Sequence, residues 1–195
     1  MALLTSFSAA IEARDPYLQG HSTRVTGLAD ALARLLGWRH AELEILRLGG
    51  SLHDVGKIAV DARILGKPAP LTPEERAHIR THPVAGARLI EGVVDLRPAL
   101  PYVLHHHERW DGTGYPEGRA AETIPIEARL LCIADAFDAM TSHRPYRRAL
   151  SVEQALAEVE RCAGTQFDPE LARAFVDGWE AGEIGATAPA LALSG

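Results

Sequence analysis

Cysteine is scarce in this chain. Its 195 residues hold two, Cys132 and Cys162, at a separation that fits neither a thiolate metal motif nor a disulfide framework. Cys132 lies in an apolar run and reads as a core thiol. Lysine is equally rare: only Lys57 and Lys67 occur in an arginine-rich chain. No stretch approaches the ~20 apolar residues of a membrane span. The first ten residues lack the basic start and apolar run of a secretion signal. The expectation is a cytoplasmic chain that does not enter a membrane. Positive charge is not in excess either, and a net charge of -6 argues against binding long nucleic acid. It leaves room for a small anion held by local arginines or metal ions. No internal repeat is present, and no strand pattern is longer than Lys57 to Val60.

Helix signals are abundant. Leu3, Leu4, Phe7 and Ile11 recur at helical spacing. Asp15-Pro16 reads as a cap opening a helix to Gly37, with His21, Val25, Leu28, Leu32 and Leu35 on one face. A second helix is expected from His40 to Asp54, stopped by Gly56. Asp61 caps a short helix through Leu65. Thr72 and Glu75 form a capping box. Ile79 and His82 lie near one another, and His78 is expected outside. Pro98 opens a helix carrying Leu100, Val103, Leu104 and His107. Pro125 opens another carrying Ile133, Asp135, Phe137 and Asp138. Ser151 with Gln154, and Asp168 before Pro169, cap the last two. One all-α domain, a helical bundle, follows, because the length suits a single core. Its expected limits are a helical link over residues 1–14, the domain over 15–181 and a flexible tail over 182–195.

The chemistry starts from His53-Asp54. An imidazole beside a carboxylate supplies a nitrogen ligand and two oxygens, so Asp54 can bridge two cations. Five further residues lie at helix ends or on apolar faces: His21, His82, His106, His107 and Asp135 join His53 and Asp54. One ion can take His21, His53, Asp54 and Asp135, and another Asp54, His82, His106 and His107. Imidazole and carboxylate without thiolate suit Fe, Mn or Zn over Mg or Ca. Asp135, flanked by Ile133 and Phe137, needs a partner because a bare buried carboxylate costs several kcal/mol. Trp110 to Gly118 is too rich in Gly and Pro for regular structure and reads as an ordered or binding loop.

Taken together, these motifs resemble the HD-GYP family of HD phosphohydrolases. They are a His and Arg in the first helix, His53-Asp54-Val55-Gly56-Lys57, His82-Pro83, His106-His107-Glu108-Arg109-Trp110-Asp111-Gly112-Thr113-Gly114-Tyr115-Pro116 and Asp135-Ala136-Phe137-Asp138. Arg144-Pro145-Tyr146-Arg147 and Gly164 to Pro169 fit the same pattern. The resemblance implies an all-helical domain with a di- or trinuclear iron or manganese centre. It implies hydrolysis of cyclic di-GMP to pGpG and onward to GMP. Asp54 would bridge the ions, and Lys57, Arg144 and Arg147 would hold phosphates. The loop Asp111, Gly112, Gly114, Tyr115 and Pro116 would border the site and dock a diguanylate cyclase domain. Trinuclear members carry a Glu where this chain has Tyr17, which favours two ions, with Zn, Ni or Co as substitutes for Fe or Mn. His143 stands where Asp or Asn is usual. Two other functions stay open: hydrolysis of another nucleotide, including a mixed cyclic dinucleotide, and binding without turnover. The spacing of Leu3 to Ile11 would suit a helix running in from an upstream domain and pairing in a homodimer.

Overall fold

A computed structural model describes residues 19–143 and 148–185. These residues are helical and contain no strand; a lone bridge joins Ala163 to Phe167. In chain order the α-helices are α1 (His21–Leu35), α2 (His40–Leu52), α3 (Ala62–Leu65), α4 (Pro73–Ile79) and α5 (His82–Ile90). Then come α6 (Leu100–His105), α7 (Ile126–Thr141), α8 (Val152–Arg161) and α9 (Pro169–Glu180). Short 3-10 turns occupy Val55–Ala59, Val94–Ala99 and Ala121–Thr123.

The main core gathers around α7. Leu130, Leu131, Ile133 and Phe137 are fully buried there, against Val25, Ala29 and Leu32 of α1 and Phe175 of α9. Each such side chain contributes about 1.5–3 kcal/mol of transfer free energy. Val25, Leu28, Ala29 and Leu32 recur every three or four residues, so one stripe of α1 faces inward. Phe137 meets Phe175 and Trp179 with ring centroids 5.1 and 4.8 Å apart. A smaller cluster of Leu52, Val55, Ile90, Ala99 and Val103 supports the other side of the molecule. The polar residues of interest lie between the two clusters.

Local signals act as their chemistry requires. The Thr72 hydroxyl accepts from the Glu75 amide while the Glu75 carboxylate accepts from the Thr72 amide. Ser151 and Gln154 repeat the device at α8. Asp168 accepts from the amides of Glu170 and Leu171 and from Arg129.

Four expectations are corrected. The second helix ends at Leu52, so His53 and Asp54 stand in the turn beyond it. Lys57 to Val60 is no strand: the Lys57 and Val60 amides bond back to Asp54 and Lys57 carbonyls, winding the segment into a 3-10 turn. Pro98 falls inside a 3-10 turn rather than opening a helix, and α6 starts at Leu100. The tail expected from Gly182 is packed at its start, where Ile184 is buried. Leu3, Leu4, Phe7, Ile11, Asp15, Pro16 and Tyr17 lie outside the described residues, as do Arg144 and Arg147.

Candidate metal centre

Helix ends bring the site together. His21 opens α1, His53 and Asp54 follow α2, His82 opens α5, His106 and His107 follow α6, and Asp135 and Asp138 lie on α7. Backbones touch where the site needs them to. A Cβ on Gly56 would overlap the His82 carbonyl and the Gly86 amide, so only glycine lets the Asp54 turn close on α5. A Cβ on Gly114 would lie 2.6 Å from the Glu108 Cα, which draws the Gly-rich loop over His107 and Glu108.

The imidazoles are oriented by their Nδ1 atoms. His53 Nδ1 lies 2.8 Å from the Gly50 carbonyl, His82 Nδ1 2.8 Å from that of Ile79, and His106 Nδ1 3.0 Å from that of Tyr102. A carbonyl can only accept, so each Nδ1 carries the proton and each Nε2 presents a lone pair inward. His82 and His106 Nε2 then face one another at 3.2 Å. Two lone pairs at that distance repel unless a cation lies in front of them. His53 Nε2 is buried and has no hydrogen-bond partner among the described residues. His21 differs: its Nδ1 is 2.7 Å from Asp138 Oδ2, and its Nε2 is 3.3 Å from Asp135 Oδ1.

Asp54 stands between these rings and divides its oxygens. Oδ1 lies 3.3 Å from His82 Nε2 and 3.9 Å from His106 Nε2. Oδ2 lies 3.5 Å from His53 Nε2, 3.9 Å from His21 Nε2 and 2.6 Å from Lys57 Nζ. Two ligand sets result, Asp54 with His82, His106 and His107, and Asp54 with His21 and His53. Inward lone pairs, a shared carboxylate and Nδ1 groups fixed by an outer shell fit a pair of divalent cations.

Charge follows the same division. Burial lowers the pKa of His53 and drives that of His106 well below 6.5, and it pushes His107 down to about 3, so these rings are neutral. Burial also opposes charge on His21, but Asp135 and Asp138 raise its pKa to about 9. Burial would raise Asp54, yet Lys57, His53 and His82 hold it well below the usual carboxylate range. Asp135 is likewise held low by His21 against its burial.

The cluster floors a cavity of ≈ 320 Å³ lined also by Lys57, Ile79, Tyr115, Cys132, Asp135 and Gln166. Tyr115 stacks on His107 at 4.8 Å and carries the Arg80 guanidinium 5.0 Å above its ring. It is therefore a wall of the cavity, half-buried. Asp111 stays at the exposed edge of the loop, tied to Arg109 and Thr113. Gly112 takes a left-handed turn at φ +76° and Pro116 faces a neighbouring groove.

A match to the HD domain family spans residues 5–171, covering His53-Asp54 and the His cluster around it. The chain belongs to the HD domain family. Its motifs are those of the HD-GYP type. It is 38% identical over 177 residues to the cyclic di-GMP phosphodiesterase response regulator RpfG of Xanthomonas campestris, covering 90% of this chain and 47% of RpfG. It is 42% identical over 170 residues to the cyclic di-GMP phosphodiesterase PA4108 of Pseudomonas aeruginosa, covering 85% of this chain and 40% of that protein. The chain thus spans about half or less of these curated relatives. Among solved structures, the cyclic GMP-AMP specific phosphodiesterase V-cGAP3 of Vibrio cholerae superposes with a TM-score of 0.71 at 22% identity. That match covers 96% of this chain and 50% of that one, and it shows a shared fold.

Sequence reasoning missed several residues. Asp138 is more buried than Asp135 and holds both His21 and Arg24, whose Nε lies 2.5 Å from its Oδ1. Glu108, buried, accepts from the amides of Glu117 and Arg119 and so shapes the loop. Arg80 gave no motif signal at all. The Asp138 role was visible only as a spacing of three from Asp135.

Proposed function

We propose that this chain is a metal-dependent phosphodiesterase that opens a cyclic dinucleotide, cyclic di-GMP, to linear pGpG. The observation that carries it is the division of the Asp54 oxygens between two sets of inward imidazoles. Water adds across one P–O bond of the ring, leaving a linear dinucleotide with one terminal phosphate. His21, His53 and Asp54 would hold one ion, with Asp135 beside His21. Asp54, His82, His106 and His107 would hold the other. When bound, two such ions, Fe or Mn, with Zn, Ni or Co able to replace them, activate water and offset phosphate charge.

The protein's own groups do the rest. The Nδ1–H bonds fix the ring orientations, and Asp138 sets that of His21. Lys57 brings a point charge to the cavity wall beside Asp54, placed to meet a phosphate oxygen. Tyr115 over His107 keeps bulk water from that side. Arg144 and Arg147 join Lys57 as phosphate ligands on the strength of the sequence motif. With two ions the chain stops largely at pGpG. The domain covers residues 15–181, works in the cytoplasm and pairs with a second copy. The loop from Asp111 to Gly118, with Asp111 and Glu117 exposed, docks a diguanylate cyclase domain; unchanged docking after Glu117→Arg would remove that role.

A second substrate, a mixed cyclic GMP-AMP ring, is favoured by the 36% identity over 168 residues to the 3'3'-cGAMP-specific phosphodiesterase 3 of Vibrio cholerae. Both are tested by loading the protein anaerobically with iron or manganese and separating products by chromatography. pGpG from cyclic di-GMP is the expected result. Turnover of the mixed ring alone transfers the assignment to it. No product from either, with two ions bound per chain, overturns the proposal.

A further inference from the structure

The cavity is small for such a substrate. Ligand pockets run from about 300 to 1,000 Å³, and ≈ 320 Å³ holds a phosphodiester and its sugar but not two nucleosides. The remainder of the ring has to lie elsewhere. Beyond Tyr115 a groove of ≈ 540 Å³ runs along α5, with Ala77, Val84, Ala85 and Pro116 in its apolar surface and Arg80 and Arg88 lining it. Tyr115 belongs to both spaces, so groove and cavity meet at its ring.

The two arginines share with Arg76, Arg97 and Arg173 the lack of an ion pair among the described residues, but these two line the groove. Arg24, Arg109 and Arg129 each bind a carboxylate. Neither Arg80 nor Arg88 forms an ion pair among the described residues, and both are exposed. Arg80 forms the outer layer of a His107–Tyr115–Arg80 stack. Among the described residues its guanidinium donors meet no carboxylate, in a chain whose net charge is negative. Uncompensated guanidinium groups beside an apolar floor match the two parts of a nucleotide, an anionic phosphate and a flat base.

We infer that this groove is the subsite for the half of the cyclic dinucleotide that the metal cavity cannot contain. Arg80 and Arg88 take the distal phosphate, and the base lies over Val84, Ala85 and Pro116. This rests on the phosphodiesterase function proposed above and adds to it the residues that recognise the second nucleotide.

The test measures the Kd of the metal-loaded protein for a slowly hydrolysed phosphorothioate analogue of cyclic di-GMP, with KM and kcat for cyclic di-GMP itself. Arg88→Ala and Arg80→Ala should each weaken binding by roughly ten- to a hundredfold, the value of a hydrogen bond to a charged group. The loss should appear mainly in KM. Arg88→Lys should restore part of it, which a purely structural role would not require. Arg173→Ala removes a positive charge from an exposed position on α9 and should leave the Kd as it was. Wild-type Kd in both alanine variants overturns the subsite while leaving the phosphodiesterase function standing. A wild-type protein that neither binds nor hydrolyses any cyclic dinucleotide overturns both.

Discussion

Replacing Asp138 by Asn probes the outer layer of the metal centre without touching an inner ligand. The carboxylate is buried, with Oδ2 2.7 Å from His21 Nδ1 and 3.0 Å from Arg24 Nη2, and Oδ1 2.5 Å from Arg24 Nε. Both oxygens accept. Asn has one oxygen and one amide nitrogen, so in either orientation a donor meets a donor. If the amide nitrogen faces His21, the imidazole must shift its proton to Nε2 and lose the lone pair aimed at the site. If it faces Arg24, a buried guanidinium bond is lost instead. Hydrogen bonds to charged groups are worth about 1.5–3 kcal/mol each, and Arg24 is 21% exposed, which screens part of the loss. The expected cost is about 2–3 kcal/mol in the metal-free protein, read as a lower urea midpoint at unchanged slope. Loss of such an outer partner costs about 10–100-fold in metal affinity. Titration with Mn under anaerobic conditions should therefore show one weakened site of two. If both affinities stay at wild-type values, the orienting role given to Asp138 is wrong.

Three further outcomes follow from the site. Without metal, His21 has its pKa raised to about 9, whereas burial keeps His53, His106 and His107 neutral at pH 7. A cation must displace the His21 proton, so metal uptake at pH 7 should release about one proton per chain. Calorimetry in two buffers of different ionisation enthalpy reads this number; zero release, or release of three, contradicts the assignment. The raised His21 pKa also stabilises the metal-free fold fully below pH 6.5, and that contribution fades as the pH rises through about 9. Gly56→Ala forces a Cβ into the His82 carbonyl and the Gly86 amide. Backbone cannot yield as a side chain tip does, so a loss above about 2 kcal/mol is expected. Thermal unfolding at wild-type temperature would show that the turn relaxes freely.

Much of the fold was legible because its signals are local. Thr72 with Glu75, Ser151 with Gln154, and Asp168 before Pro169 each name a helix start from three or four residues. His21, His53, Asp54, His82, His106 and His107 could be collected because histidines on apolar faces or at helix ends are conspicuous. What escaped depends on distance in space. Asp138 reads as one acidic residue on a helix until α1 brings His21 and Arg24 to it. Glu108 acts through backbone amides, which no side-chain pattern reports. The Lys57 to Val60 segment has β-like composition, yet the described residues offer no second strand, and its amides turn back on Asp54 and Lys57. Tyr115 reads as a loop aromatic open to a partner, but close backbone approach at Gly114 folds its ring onto His107.

In the proposed function Asp54 joins two cations into one hydrolytic centre. Metal content per chain, measured by mass spectrometry after anaerobic loading, tests it most directly when wild type and Asp54→Ala are compared beside their turnover of cyclic di-GMP. Two ions per chain are expected in the wild type, and in Asp54→Ala loss of metal together with loss of product. An Asp54→Ala protein that keeps both ions and full turnover would contradict it.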